Sequence, residues 1–433
     1  MGSPTRFLFF LYYYPPAMGT AAKRNFRIAD AIAGKVNSVS IFTSSVVPDK
    51  FLRPANMAIR TIKAYDYRSL LRRNTKDGAI PETIKSNAPT QWAVRMINSF
   101  PLNIILGEGG LVYFLNLLRQ GRRAIKDEHI THLYSSYRPF ADHYAAYWLK
   151  QRNPQVIWIA DFRDLMIDPH YQHIQSPGSH QAFFKKIFGT ADLLTTVSDG
   201  LATHLREYNE NVITLRNGIA GEIKSPVPSV SPYFTIAYSG SMFLDKRNAE
   251  PLFKALQALF QETELDPVDI RIAYAGKDSR YWISLADRFR FASLLIDHGI
   301  VHADEAKHIQ QQACINVLLT ISSEQLQGVL TGKMIEYFES GSPVLGIVVG
   351  QNDPELQAML HELEIGTCFS DQPDEVEAIK AFILQEYRLW KSTGTNRKPV
   401  NTDILRNKYS TDAVMKPLLE RLNLLPLNPL KGT

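Results

Sequence analysis

The sequence predicts an α/β protein with two Rossmann-like domains, each built around a doubly wound and mainly parallel sheet. Short apolar runs alternate with longer helical patterns from end to end, which is typical of successive βα units. The chain has 433 residues, too many for one ordinary hydrophobic core. The alternation is interrupted at residues 225–232, where three prolines and three serines predict a linker between the domains.

The first domain is predicted to contain five buried strands. They are the apolar runs Arg6–Tyr13, Val39–Thr43, His132–Ser135, Val156–Asp161 and Leu193–Val197. Helical patterns between these strands cover Ala21–Ala33, Ala141–Gln151 and Ser179–Phe188. The first run follows a positive charge, but no small-residue cleavage site comes after it, so it is interpreted as a strand and not as a signal peptide.

The same alternation resumes after the linker. The predicted strands are Phe234–Ser239, Ile270–Ala275, Ile315–Leu319 and Pro343–Val349, and the predicted helices are Asn248–Phe260, Ser279–Leu285 and Gly332–Ser340. A final helical stretch, Ala413–Leu422, can pack on either domain. We therefore predict a first domain over 1–228, a second over 229–405 and a C-terminal helical tail over 406–433.

The overall composition is that of a globular protein, with 45% hydrophobic and 21% charged residues. Cys314 and Cys368 have neither metal-site spacing nor a framework of pairs, which suits a reducing cytoplasm. No apolar stretch reaches the roughly 18 to 20 residues needed to cross a bilayer. These features predict a cytoplasmic protein, either free or attached to the inner face of the membrane.

Charge is distributed unevenly along the chain. Residues 1–224 contain 28 Lys and Arg against 17 Asp and Glu, and the remaining residues contain 20 against 26. The basic first half predicts an anionic partner, but neither zinc-finger spacing nor an RNA-reading aromatic signature indicates nucleic acid. The stretch 91–126 mixes apolar side chains with arginines and leaves two interpretations open: a helix pair at an anionic membrane surface, or core-packing helices with a solvated basic face.

Loops that follow the predicted strands are the expected ligand sites, because open α/β sheets bind ligands at the carboxyl ends of their strands. The first loop contains Gly19 just before a helix, whose amino end favours an anion. The second loop begins at Gly240 and Ser241 and ends in Lys246 and Arg247, two adjacent cations that can hold a diphosphate. A plain glycine-containing loop and exposed cations at a helix start are the respective alternatives.

The third loop gives the strongest signal, because it leads into a short helix with a cation and a carboxylate in its first turn. Its candidate donor-binding residues are Glu324, Leu330, Thr331, Gly332, Lys333 and Glu336. Free backbone amides at the helix start, together with Lys333, favour phosphate oxygens. Glu336 can accept hydrogen bonds from both hydroxyls of a ribose, and a Lys–Glu surface pair is the alternative.

Three charged residues close a predicted strand of the first domain and are candidate catalytic residues. They are Asp161, Arg163 and Asp164. One interpretation gives them a role toward the acceptor or the donor, and the other makes them an internal Asp–Arg ion pair that fixes the loop.

Six segments of the chain occur in the order found in one known family. They are Tyr14–Gly19, Asp161–Leu165, Ala191–Ser198, Asn217–Ile219, Tyr238–Ser241 and Gly332–Leu345. In these segments the sequence resembles the retaining GT-B glycosyltransferases of family 4, which build bacterial polysaccharides and glycolipids from nucleotide-linked sugars. The resemblance covers nearly the whole chain, and Gly332–Leu345 contains its most specific part.

The resemblance implies a GT-B fold whose two domains face each other across a cleft, with the nucleotide on the second domain and the acceptor on the first. It implies that Glu336 binds the ribose, that Arg247 binds the diphosphate and stabilises its charge during catalysis, and that Gly19 lies against the donor phosphates. The region of Tyr137 and Arg138 corresponds to the acceptor side.

The reaction implied by the resemblance keeps the anomeric configuration without an obvious protein nucleophile, and the leaving phosphate takes the proton of the acceptor. Catalysis is then positioning and charge stabilisation. The partners implied are a nucleotide sugar such as a UDP-sugar, as donor substrate, and a glycan or lipid-linked acceptor. Neither a cofactor nor a metal ion is expected.

Two positions depart from the family pattern. Gly328 stands where the family often has a glutamate that touches the donor sugar, and Ser241 stands where it usually has an arginine. The sequence therefore predicts a nucleotide diphosphate in the site but no particular sugar. The alternatives are a non-catalytic scaffold or partner subunit of the same fold, and a sugar-nucleotide epimerase.

Overall fold

The computed structural model describes residues 4–17, 19–65, 88–169, 173–219, 221, 223, 231–242, 247–329, 332–395 and 401–424, with residues 88–91 described by their backbone. Internal contacts divide the chain into two units. The first comprises Met1–Asn217 and Val414–Thr433, and the second comprises Gly218–Ala413. The boundary predicted at residue 228 lies outside the described residues, and the predicted tail 406–433 is shared between the two units.

The first unit contains a wholly parallel sheet. Its strands are β1 Arg6–Phe10, β2 Ser38–Thr43, β3 Met57–Thr61, β4 His132–Tyr137, β5 Ile157–Phe162, β6 Leu193–Thr196 and β7 Val212–Thr214. Their order in the sheet is β3-β2-β1-β4-β5-β6-β7. The apolar run Phe7–Phe10 of β1 is fully buried, as expected for a central strand that helices cover on both faces.

Helices connect the strands of the first unit. They are α1 Thr20–Ala33, α2 Ala88–Asn98, α3 Leu102–Ile105, α4 Gly110–Asp127, α5 Phe140–Arg152, α6 Pro177–Phe188 and α7 Asp199–Leu205. Ile28 and Ile32 of α1 belong to the same buried cluster as Phe7 and Phe9. The one-turn spacing of the two isoleucines presents one apolar stripe of α1 to the sheet.

The second unit repeats the plan with a smaller parallel sheet. Its strands are β8 Phe234–Ser239, β9 Ile270–Ala275, β10 Leu295–Asp297, β11 Ile315–Ser322, β12 Val344–Gly350 and β13 Gly366–Ser370, in the order β10-β9-β8-β11-β12-β13. The helices are α8 Glu250–Gln261, α9 Ser279–Phe289, α10 Ala303–Gln312, α11 Lys333–Ser340, α12 Pro354–Glu362 and α13 Val376–Thr393. Shorter helical turns cover Pro373–Glu375, Thr402–Ile404 and Leu405–Tyr409.

The last helix, α14 Thr411–Arg421, returns the chain to the first unit. Val414, Met415, Leu418 and Leu419 are buried in the cluster that contains the apolar face of α1. The alternative left open by the sequence, packing on either domain, is thereby decided in favour of the first unit.

Both sheets have the strand order of the doubly wound Rossmann fold. In such sheets the order reverses at one place, and ligands bind outside the carboxyl ends of the two strands on either side of it. These strands are β1 and β4 in the first unit, and β8 and β11 in the second. The loops after these four strands contain most of the candidate residues, while Asp161, Arg163 and Asp164 lie at the end of the neighbouring β5.

Candidate functional site

The candidate donor site lies in the second unit, where the ends of β8 and α11 approach each other closely. Gly240 follows β8 with a φ of 131°, and a Cβ atom there would lie 2.0 Å from Nζ of Lys333. The backbone conformation of Gly240 favours glycine, and any side chain there would displace the end of the Lys333 side chain. Lys333 Nζ lies 4.4 Å from the ring centroid of Tyr238 and 3.2 Å from its hydroxyl oxygen.

Arg247 brings a second cation to the same hydroxyl. Its Nη1 donates to Tyr238 Oη over 3.2 Å and also to the carbonyl of Ser241. Burial and the neighbouring Arg247 lower the pKa of Lys333 to about 7, although Glu336 opposes the shift. Two cations gathered around one neutral oxygen form a site that favours a doubly charged anion such as a diphosphate.

Glu336 lies one turn into α11 and is oriented by a residue that the sequence does not single out. Gln310 Nε2 donates to Glu336 Oε2 over 3.3 Å and to Ser239 Oγ over 2.7 Å. Gln310 is buried at 2% exposure, so its amide links the end of β8 to the start of α11. A Gln in an amphipathic helix carries no sequence signal for such a role.

The loop between β11 and α11 is held at Gly328 by Asp353, a contact that is also not evident from the sequence. The buried Asp353 accepts from the backbone N–H of Gly328 over 2.9 Å and caps α12 through the N–H of Leu356. Thr320 Oγ1 donates to the carbonyl of Val329 over 2.9 Å. The Asp-Pro-Glu start of α12 predicts the helix cap, but not the bond to Gly328.

Six other predicted donor residues have different outcomes. Glu324 is exposed in the loop after β11, and Gly332 is the residue immediately before α11. Lys246, Leu330 and Thr331 lie outside the described residues. Gly19 precedes α1 with a φ of 116°, and the space beside its Cα is open.

Asp161 is held in a buried ion pair of the first unit. Arg24 donates to it through Nη2 over 2.7 Å and through Nε over 3.3 Å, and Thr195 adds a hydrogen bond of 2.7 Å. Burial alone would raise the pKa of Asp161, but Arg24 and these hydrogen bonds outweigh it and lower the pKa. This corresponds to the internal ion pair among the two interpretations of the sequence, with Arg24 as the partner instead of Arg163.

Arg163 and Asp164 lie just beyond β5, beside the end of β4. Arg163 Nε donates to the carbonyl of Tyr137 over 3.1 Å, and Asp164 is exposed. The pKa of Arg138 is raised by Tyr137 first and, among carboxylates, by Asp164 and Glu108. The residues assigned to the acceptor side and two of the catalytic candidates thus share one end of the sheet.

A cavity of about 60 Å³ adjoins Tyr137 and Arg138. Asn98, Asn103 and Glu108 supply polar groups to its lining, and Phe140 and Phe184 supply apolar walls. Within the described part of the chain, Nε of Arg138 and Oδ1 of Asn103 are buried without a hydrogen-bond partner. A donor and an acceptor thus stand unused beside one cavity.

Solved structures with the same architecture span nearly the whole chain. Sucrose-phosphate synthase from Thermosynechococcus elongatus aligns at 12% identity and a TM-score of 0.62 over 97% of this chain and 99% of that one. A glycosyltransferase from Rickettsia africae ESF-5 aligns at 13% identity and a TM-score of 0.60, over 100% of both chains. WaaG, a glycosyltransferase involved in lipopolysaccharide biosynthesis, aligns at 12% identity and a TM-score of 0.56, over 96% of this chain and 99% of that one.

The sequence matches no family model and no curated protein. The likeness to solved structures and the two parallel sheets show that the chain has the GT-B fold, as the sequence predicts. Searched over the described residues, the structure contains no helix with the length and hydropathy of a membrane span.

Proposed function

We propose that this protein is a glycosyltransferase that moves a sugar from a nucleotide-diphosphate sugar to a glycan or lipid-linked acceptor, with retention of the anomeric configuration. The observation that carries the proposal is the cation pair of Lys333 and Arg247 around the hydroxyl of Tyr238, one helical turn from Glu336. This group stands at the strand-order reversal of the second sheet, where doubly wound folds bind nucleotides.

In this proposal the donor diphosphate binds beside the hydroxyl of Tyr238, where Lys333 and Arg247 both make a hydrogen bond. Lys333 and Arg247 bind the phosphate oxygens, and Glu336 accepts hydrogen bonds from the ribose hydroxyls. Because Ser241 stands where the family carries an arginine, Arg247 is the main cation of the proposed clamp, and Lys333 adds a second. A UDP-sugar is the donor class that we assign.

The reaction breaks the bond between the anomeric carbon and the diphosphate oxygen and forms one from that carbon to an acceptor hydroxyl oxygen. The acceptor's proton passes to the leaving diphosphate. Lys333 and Arg247 stabilise the negative charge that grows on this group, which is the electrostatic contribution expected of preorganised cations. No cofactor and no metal ion are required by these steps.

The acceptor is assigned to the cavity beside Tyr137 and Arg138. A hydroxyl both donates and accepts, so one hydroxyl can satisfy the unused Nε of Arg138 and Oδ1 of Asn103. Aromatic walls from Phe140 and Phe184 suit the apolar face of a sugar ring. Arg163 and Asp164 border this region and are proposed to position the acceptor.

Glu336→Ala tests the donor assignment by isothermal calorimetry with UDP and UDP-sugars. Loss of hydrogen bonds to a carboxylate costs about 1.5–3 kcal/mol, so the dissociation constant should rise about 10- to 150-fold. Glu339→Ala is the matched control, because Glu339 lies on the same helix and pairs with Lys307 at 3.7 Å. Unchanged donor binding by Glu336→Ala would overturn the assignment.

Product analysis separates the proposed function from its two alternatives. Steady transfer, or slow hydrolysis of a nucleotide sugar, would exclude a non-catalytic scaffold. Conversion of the donor into an isomer of equal mass, in the absence of any acceptor, would instead identify an epimerase.

A further inference from the structure

Helix α4 has an outer face that the core of the first unit does not use. On its inner face Tyr113, Phe114 and Leu117 are buried. On its outer face Leu111 and Leu115 are exposed at 41% and 53%. The helix therefore packs in the core and still presents large apolar side chains to the outside, so neither interpretation of the sequence excludes the other.

The same outer face becomes cationic along the helix. Arg119, Arg122, Arg123 and Lys126 are all exposed. The spacing from Leu111 through Leu115, Arg119 and Arg122 to Lys126 is four, four, three and four residues, which aligns these side chains in one stripe. Apolar groups thus occupy the amino-terminal half of the stripe, and guanidinium and ammonium groups occupy the other half.

The two preceding helices add to this surface. Helices α2, α3 and α4 contact one another in succession. Trp92 and Val94 of α2 are exposed at 58% and 39%, and Ile105 and Leu106 at the end of α3 at 42% and 43%. Val112 of α4 is exposed at 41%. Together with Leu111 and Leu115, this makes seven exposed large apolar side chains between residues 92 and 115. Such clusters mark interaction sites.

We propose that this α2–α4 surface, formed by residues 92–126, docks on an anionic lipid bilayer. Apolar side chains at the start of α4 enter the boundary between headgroups and acyl chains, as in interfacial amphipathic helices. The arginines that follow bind lipid phosphates, for which the planar guanidinium is well suited. Residues 88–127 contain five cations, Arg95 and the four of α4, but only two carboxylates, Glu108 and Asp127.

Docking has a consequence for the acceptor, which rests on the proposed function. Asn98, Asn103 and Glu108 line the cavity beside Arg138 and come from the same α2–α4 segment. A docked first unit would hold this cavity next to the lipid headgroups. The acceptor class that fits is then a lipid-linked sugar whose polar head enters the cavity.

Co-sedimentation of the full chain with vesicles tests the docking without reference to catalysis. Vesicles of phosphatidylcholine alone are compared with vesicles that also contain phosphatidylglycerol, at low and at high salt. We expect binding to the anionic vesicles, weakened by salt because surface charges are screened. Arg122→Gln/Arg123→Gln should weaken partitioning about 30-fold, since each basic residue contributes about 1 kcal/mol at an anionic surface.

Leu111→Gln/Leu115→Gln should weaken binding at least about tenfold, since two buried leucines are lost from the interface. Matched controls are Lys185→Gln/Lys186→Gln, an exposed cation pair on α6, and Val268→Gln/Ile300→Gln, exposed apolar residues of the second unit. Circular dichroism and thermal unfolding confirm that each variant is folded.

Two results would overturn the docking proposal. One is equal sedimentation with and without the anionic lipid, or the same loss in the controls as in the α4 variants. The other is self-association in analytical ultracentrifugation that Leu111→Gln/Leu115→Gln abolishes while vesicle binding is absent, which would make the surface a contact between copies of the chain. Failure of sugar transfer alone leaves the docking result unaffected.

Discussion

Lys333 illustrates how the fold prepares a single side chain for the anion that we propose it binds. Its ammonium group lies against the face of Tyr238 and beside Arg247, and Gly240 leaves the space that it needs. The sequence identifies Lys333 as a candidate because it follows a loop at a helix start. It does not reveal the contact with Tyr238, since that tyrosine is 95 positions away, on strand β8.

Donor binding should depend on pH through Lys333. Its pKa is lowered to about 7, so the free site loses a positive charge as the pH rises through that value. A diphosphate binds the protonated form, so affinity for a UDP-sugar should fall about tenfold from about pH 6 to about pH 8. Calorimetry with UDP-glucose measures this.

Lys333→Met should bind weakly at both pH values and lose the dependence on pH. Lys307→Met, an exposed lysine of α10, should keep it. An unchanged pH profile in Lys333→Met would refute the titration of this lysine.

Asp161 and Arg24 are expected to matter for stability. Both are almost fully buried, at 0% and 3% exposure, and removal of one partner leaves the other charge uncompensated. Arg24→Met should therefore lower the free energy of unfolding by about 3–5 kcal/mol. Urea unfolding followed by circular dichroism measures the change.

The double variant Arg24→Met/Asp161→Leu should recover part of that loss, because no buried charge remains. Arg206→Met, at the exposed residue directly after α7, serves as control and should change stability by less than about 0.5 kcal/mol. A double variant less stable than Arg24→Met by a further several kcal/mol would contradict this account.

At the scale of single elements, the strands that the sequence does not predict are informative. They are β3, β7, β10 and β13, which are the outermost strands of the two sheets. Central strands have continuous apolar runs because helices cover both faces, whereas β7 and β10 are three residues long and partly exposed. Hydrophobic periodicity therefore detects the middle of each sheet and misses its edges.

The loop before α11 is the element whose order should depend on Asp353. Asp353→Asn keeps a residue that caps α12 well but loses the charged acceptor of the Gly328 N–H. We expect a loss of about 1.5–3 kcal/mol in stability, together with faster cleavage at 323–329 in limited proteolysis.

Weaker UDP-sugar binding by Asp353→Asn should accompany the faster cleavage. Asp374→Asn, at an exposed position, is the control and should change neither property. Equal proteolysis of the Asp353 variant and the wild type would show that the hydrogen bond does not order this loop.

For the whole molecule, the division into two units predicts separable unfolding. Each unit has its own buried apolar clusters, and the apolar side chains of α14 belong to a cluster of the first unit. Leu418→Ala should cost about 2–5 kcal/mol and lower the melting temperature of the first unit alone. A UDP-sugar should raise the melting temperature of the second unit alone, because ligand binding stabilises the unit that holds the ligand.

Differential scanning calorimetry resolves these two effects. Lys416→Ala, exposed on the same helix, should leave both transitions in place. A single transition that shifts as a whole with the ligand and with Leu418→Ala would mean that the units unfold together.

The fold could be predicted from the sequence further than the site could. The two doubly wound domains follow from local patterns. The GT-B fold is implied by the family resemblance, and the structure confirms that fold. The site depends on contacts such as Gln310 with Glu336 and Asp353 with Gly328, 26 and 25 positions apart. Polar contacts of this kind follow no sequence periodicity, so they are identified only in the folded structure.

The path of the chain makes the second unit an insertion within the first. Where the chain enters and leaves it, Ile219 and Ser410 form a parallel bridge, and Ile219 accepts from the N–H of Thr411 over 3.1 Å. The incoming and outgoing segments are thus already joined by hydrogen bonds where they meet. The second unit, which we propose binds the donor, should consequently be exchangeable between proteins of this fold as a cassette, with both splice points at one place in space.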